Sequence, residues 1–213
     1  MSETGKGEFD PRDAVEIVGL DAEHTNVRWD SAQKAYSWEC PRPLKVHIKM
    51  FGAGGGGGGS FRGTGKGGGG GAAGEYKFVE MSLDPGVYIF QKGIGGKGGR
   101  CHQSNEADAP ATAGGDSTLK SWTGLVRLHC KGGKAGVKDG GQSSRGDDGG
   151  DVYSAEGTLV SRGGRGGEPD RAGSAPDAEQ YGAGGGGGGA FAGPSNYFGG
   201  NGSDGHLKIY VVG

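Results

Sequence analysis

The chain has 213 residues, 54 of them glycine, with 23% charged residues and a formal net charge of −2. Leu, Ile, Val and Phe make up roughly 15% of it, below the ~20% under which chains usually stay disordered, so no ordinary large hydrophobic core is available. Lys and Arg are scattered singly among Asp and Glu, which gives no basic block and excludes nucleic acid as a partner.

Only Gly5, Gly7 and Gly19 precede position 52, so the composition changes near Pro41-Arg42-Pro43 and divides the chain into residues 1–43 and 44–213. The start, Met1-Ser2-Glu3-Thr4, lacks the basic and apolar regions of a secretory signal, and no apolar run approaches 18 residues, so a soluble protein is expected. Residues 1–43 read as a small β unit. Val15 to Val18 is a short apolar run, and Val27-Arg28-Trp29 and Tyr36-Ser37-Trp38 alternate around a five-residue polar turn, which predicts a hairpin with Val27, Trp29, Tyr36 and Trp38 on one face. Two Trp and a Tyr exceed what so short a segment can bury by itself. They either pack on the following domain or form an attachment face, Trp29, Tyr36 and Trp38, for a partner protein.

From Leu44 the pattern is strand, glycine tract, strand. Residues 45–51 alternate with Val46, Ile48 and Met50 inward and run into glycine; residues 76–81, the turn Leu83-Asp84-Pro85-Gly86 and residues 87–90 predict a second hairpin. Residues 125–130 and 158–160 are weaker strands, and residues 207–212 close the chain with Leu207, Ile209 and Val211 on one face. The first and last strong strands are expected to pair. No segment carries a helical period.

The octapeptide Gly-Ala followed by six glycines occurs twice, at 52–59 and 182–189, each time preceded by an aromatic, Phe51 or Tyr181, and closed by a small residue and Phe. A flexible linker has no use for hydrophobic residues at both ends. Glycine can adopt an extended left-handed helix with three residues per turn, and many such helices can pack closely enough for their backbones to hydrogen-bond. The expected fold is therefore mainly β with a polyglycine-II-type helical bundle: short strands flanking a glycine-rich lattice, with little α-helix.

Chemistry is thin. Gly52-Ala53-Gly54-Gly55-Gly56-Gly57 satisfies a dinucleotide-binding pattern, but six glycines do not open a helix. Cys101-His102 and His129-Cys130 invite a zinc reading, yet zinc ligand pairs are typically two to four residues apart; a Cys101–Cys130 disulfide or a chance pairing fits better. Three cysteines, with Cys40 the third, are too few and odd in number for a disulfide framework. Residues 199–207 approach a calcium nonapeptide with His206 at the apolar position, Arg145-Gly146-Asp147 arises easily by chance, and no nucleophile or carboxylate stands in a catalytic pattern. No enzyme activity, cofactor or metal is expected.

The order of segments, a strand with GAGGGGGG, Leu83-x-Pro85-Gly86-x-Tyr88, Gly93-Ile94-Gly95-Gly96-Lys97-Gly98-Gly99, Gly114 to Leu119 and a closing glycine-rich stretch at 199–205 before the last strand, resembles the glycine-rich domain of phage tail-fibre and virion proteins. It is similar to the polyglycine-helix tip adhesins of T4-like phages over roughly residues 44–213. The resemblance implies a virion fibre or adhesin protein, present in several copies, that contacts other virion subunits and a host cell-surface receptor, a saccharide or an outer-membrane protein. Receptor contact is expected from polar stretches at 100–116, 139–151, 168–180 and 194–198 and from aromatics nearby, with His102, Trp122, Tyr153, Tyr181 and Tyr197 as candidates; a decoration, collar or fibre protein without a receptor role is the alternative. An ice-binding bundle needs a flat uncharged face, against which the dispersed charge argues.

Overall fold

The computed structural model describes residues 15–60, 67–100, 109–137, 149–167, 181–185, 187 and 198–212. In chain order the strands are β1 (Val15–Val18), β2 (Val27–Asp30), β3 (Ala35–Cys40), β4 (Leu44–Phe51), β5 (Tyr76–Leu83), β6 (Gly86–Gln91), β7 (Ser117–Ser121), β8 (Val126–Cys130), β9 (Val152–Tyr153), β10 (Leu159–Ser161) and β11 (His206–Val212). A 3₁₀ turn at Ala22–His24 is the only helical element among the described residues. The fold is mainly β, with a four-stranded sheet β1-β11-β4-β5, a five-stranded sheet β2-β3-β6-β7-β8 and the small pair β9-β10.

Strict alternation in β4 sends Leu44, Val46, Ile48 and Met50 inward, and β11, paired antiparallel to it, adds Leu207 and Ile209. The five-stranded sheet contributes Tyr36, Trp38, Tyr88, Phe90, Leu119 and Leu128 to the same apolar cluster, so the two sheets share one core between their inner faces. A chain poor in aliphatics thus concentrates them in one thin layer, where burial contributes about 25 cal/mol per Å² of apolar surface. One open side is closed by side chains: Lys77 Nζ donates to His129 O (2.7 Å), Arg127 Nη2 to Ser82 O (2.9 Å) and the Lys131 N–H to Glu75 Oε2 (2.8 Å).

The β2–β3 hairpin has the expected register, Val27 opposite Trp38 and Trp29 opposite Tyr36. Asp30 Oδ1 accepts the N–H groups of Ala32 and Gln33, and Lys34 takes a left-handed φ of 49°, which together turn the chain. The pairing of the first and last strong strands, β4 with β11, is also present. The second expected hairpin is not. β5 pairs with β4 and β6 with β3 and β7, so Asp84-Pro85 turns the chain from one sheet to the other rather than back on itself. Gly86 makes that corner with φ +139°.

The N-terminal β attachment unit expected over residues 1–43 contributes strands to both sheets: β1 runs parallel to β11, and β3 pairs with β6. Tyr36 and Trp38, expected on an attachment face, are buried in the common core, Trp38 with its Nε1–H donated to His24 O (2.8 Å). Trp29, its ring 4.6 Å from that of Tyr36, keeps 39% of its surface exposed and is the one member of the trio that faces solvent.

Candidate functional site: a glycine lattice and an aromatic sheet face

β4, β6 and β8 end, and β5, β7 and β11 begin, at the same edge of the sandwich, and the glycine tracts lead away from that edge. The first octad is the centre of the tract assembly. Gly52, Gly55 and Gly58 donate their N–H groups to the carbonyls of Glu75, Ala72 and Gly69; Ala53 and Gly56 donate to Gly115 and Thr112; Gly54 and Gly57 donate to Ser203 and Gly200. As the donor number rises by three the acceptor number falls by three, so these three neighbours run antiparallel to it. Its carbonyls accept in the same rhythm from three parallel neighbours: Gly54 and Gly57 from Gly96 and Gly99, Ala53 and Gly56 from Gly133 and Gly136, and Gly55 from Gly185. Bonds between the neighbours themselves, such as Gly115 N–H to Ile94 O, Gly202 N–H to Gly96 O and Gly71 N–H to Gly185 O, close a ring of six tracts that alternate in direction.

This arrangement explains why the octad is glycine. A Cβ at Gly54 would lie 1.8 Å from Ala183 O, and one at Gly58 2.0 Å from Val137 O. Both approaches are to backbone held in the ring, and neither glycine has a left-handed φ; close approach, not conformational freedom, demands the residue. The dinucleotide-like pattern at Gly52 to Gly57 is thus buried among glycine tracts, with no helix among the described residues that follow it.

Outer tracts show a signal that sequence reasoning missed. In residues 93–100 the exposed positions are Ile94, Lys97 and Arg100; in 131–137 they are Lys131, Lys134 and Val137; in 162–167 they are Arg162 and Arg165. A larger side chain at every third residue between pairs of glycine or alanine is the sequence mark of a tract with one solvent face and two packed faces. Several backbone donors of the outer tracts are met by side chains: Asn201 Oδ1 accepts from Gly98, Asp204 Oδ1 from Gly95, Thr112 Oγ1 from Lys97, and Asp151 Oδ1 from Gly163. Asn201 and Asp204, the polar residues of the calcium-like stretch, are therefore engaged as lattice caps, Asp204 also pairing with Lys92.

Asp116 is a cap with two partners. Its Oδ1 accepts the Gly132 N–H (2.8 Å) and its Oδ2 lies 2.9 Å from His129 Nε2; the Gly132 bond first, and His129 second, hold its carboxyl below the ordinary value of 3.8. A lowered folded-state pKa means that this contribution is present above pH 3.8 and is lost as pH falls through the lower folded value. The Gly132 amide proton shift should accordingly titrate with a midpoint below 3.8, and Asp116→Asn should abolish that titration. A midpoint at or above 3.8 would show that the cap is not formed in solution.

The outer face of the four-stranded sheet is a second feature. The cross-strand row His206, Phe51, Tyr76 and the rows beside it, Lys208, Lys49, Phe78 and Tyr210, His47, Glu80, point away from the core. Phe51 packs on Tyr76 (4.9 Å between centroids), Tyr181 stacks on His206 (3.7 Å), and Lys49 Nζ lies 5.7 Å from the Phe78 centroid and 5.3 Å from that of Tyr210. Phe78 is 51% exposed. Burial, and after it the neighbouring Glu156 carboxylate, raises the Tyr76 hydroxyl pKa, which puts the β9–β10 turn beside this face.

The expected receptor aromatics do not gather at one end. Trp122, 68% exposed, sits on the β7–β8 turn with Leu125 at the end of the sandwich opposite the lattice; Tyr181 lies at the junction of lattice and sheet; Tyr153 is exposed on the β9–β10 pair. His102 and Tyr197 lie outside the described residues, as do Cys101, Arg145 to Asp147 and most of the polar stretches at 100–116, 139–151, 168–180 and 194–198. Cys130 is a free thiol inside the core, donating to Met50 O (3.4 Å), with burial pushing its pKa up to about 12. His129 points to the other face of β8, toward Asp116, so this neighbouring pair cannot close on one metal ion.

Comparison with curated proteins gives no match. The family model described as glycine-rich domain matches residues 30–211, from the end of β2 to the penultimate residue of β11. That span leaves out β1 and all but the last residue of β2 and takes in the other strands and the glycine tracts between them, and the chain belongs to the glycine-rich domain family.

Proposed function

We propose that the glycine tracts are polyglycine-II helices stacked in a hexagonal lattice and that the protein is a virion fibre or adhesin component. The lattice reading is carried by the three-residue rhythm of hydrogen-bond directions around the first octad, since a helix with three residues per turn repeats its neighbour contacts every third residue. Trans-hydrogen-bond couplings test it: Gly52, Gly55 and Gly58 nitrogens should couple to the carbonyl carbons of Glu75, Ala72 and Gly69. Absence of all three couplings removes the lattice.

The adhesin reading rests on where the outgoing tracts lead. The tracts within residues 52–60, 93–100, 131–137 and 182–185 run away from the sheets, and polar stretches follow them in the sequence. A rigid stalk that presents several short segments together suits weak contacts multiplied over many copies, where avidity adds about 10²–10⁴. Trp122 and Trp29, both on the sandwich, then serve attachment to the particle, and His102 and Tyr197 receptor contact. The second reading, a decoration, collar or fibre protein, is favoured by the aromatic outer sheet face, where half-exposed Phe78 offers apolar surface to a neighbouring subunit.

Antibodies raised against the purified chain separate the two. Under the adhesin reading they label particles at a tail or fibre tip and block adsorption to host cells. Labelled particles that adsorb normally favour the decoration reading, and particles that carry no label defeat both.

A further inference from the structure

We propose that the cleft between the Ala22–His24 turn and the outer face of the β2–β3 hairpin is a binding site for a neutral saccharide. It encloses about 450 Å³, within the size range of small-molecule sites. Its floor is built by strand alternation. Val27, Tyr36, Trp38 and Tyr88 take the core side, which leaves Arg28 and Ser37, directly opposite one another, and Glu39, opposite Val87 of β6, on the outer side. Glu23, His24 and Asn26 form the facing wall.

The wall is fixed to the floor. Trp38 Nε1–H donates to His24 O (2.8 Å), which ties the turn to β3, and Thr25 Oγ1 donates to Ala22 O (3.0 Å) within the turn. A preorganised cleft saves a ligand the cost of ordering its site.

The groups in it select a chemical class. Arg28, Asn26 and Ser37 supply donors, Glu23 and Glu39 supply acceptors, and Pro41 and Val87 supply apolar surface. Two carboxylates against one guanidinium repel phosphates and other polyanions. An apolar ligand would strip water from five polar groups and return nothing to them. A pyranose fits both constraints: each hydroxyl can donate to a carboxylate while accepting from a guanidinium or amide N–H, and the C–H face of the ring can lie on apolar surface. The inference goes beyond the virion reading and is independent of it, because every residue used belongs to the sandwich and none to the lattice or its polar stretches.

Amide correlation spectra of the full chain, recorded with methyl glycosides of glucose, galactose, mannose and N-acetylglucosamine, test the site. With at least one of them the Arg28, Ser37 and Glu39 amides and the Trp38 indole N–H should shift saturably. Arg28→Ala and Glu39→Ala should each weaken that binding at least tenfold while the Gly55 and Gly56 amides keep their positions, which shows that the variants remain folded. No saturable shift with any of the four, a shift that Arg28→Ala leaves untouched, or the same shifts produced by calcium chloride or inorganic phosphate alone would each overturn the proposal.

Discussion

Replacing Gly56 by valine should collapse the lattice. A Cβ there would stand 2.0 Å from Lys97 O and 2.3 Å from Lys97 C, both backbone atoms. Lys97 O is held by the Thr112 N–H, while Gly56 itself donates to Thr112 O and accepts from Gly136 N–H. Neither tract can move aside without breaking bonds to two others, so the overpacking penalty adds to lost hydrogen bonds. The expected loss is about 3 kcal/mol or more, a fall in melting temperature of roughly 6–12 °C for a chain of this size. Gly150→Ala is the control. Nothing lies within 4 Å of its Cβ, and its stability should stay within about 0.5 kcal/mol of the parent. Equal melting of the two variants would mean that the octad is not close-packed.

Deleting residues 1–40 should leave a chain that does not fold. The deletion takes away β1, β2 and β3, strips the pairing edges of β11 and β6, and uncovers Tyr88, Phe90, Leu207 and Ile209. In a core this thin there is no second layer to compensate. Tyr36→Ala probes the same dependence with one residue: the ring is 1% exposed and packs against Trp29 and Phe90, and its loss should cost about 3–5 kcal/mol. Denaturant titration measures the substitution, and amide dispersion reads the deletion. A dispersed spectrum from the truncated chain would make residues 1–40 an appended unit after all.

Two kinds of information in the chain were readable without coordinates. Alternation of Val46, Ile48 and Met50, and of Leu207 and Ile209, marks strands with one buried face, because successive side chains in a strand point to opposite sides. The aromatic-bracketed octads mark packed glycine, because a free linker does not need such ends. The glycines themselves hide the next level. The central tract has no side chains to reveal its period, which is legible only in outer tracts such as Ile94, Lys97 and Arg100, where solvent claims one residue in three.

Tertiary structure decided the rest. Alternation says that Tyr36 and Trp38 share a face but not what covers it, and it was the second sheet that turned an expected attachment surface into core. Asp84-Pro85-Gly86 is compatible with a hairpin or with a passage between sheets, and the partners available to β5 and β6 chose the passage. The cleft could not be read at all, since Glu23, Arg28 and Glu39 converge only when the Trp38 indole ties the Ala22–His24 turn to the sheet. The sequence by itself determined most of the strands and the glycine tracts, because those are local periodicities, although β7 and β9 carried no such mark; which surfaces meet was set by long-range pairing, to which local pattern is blind.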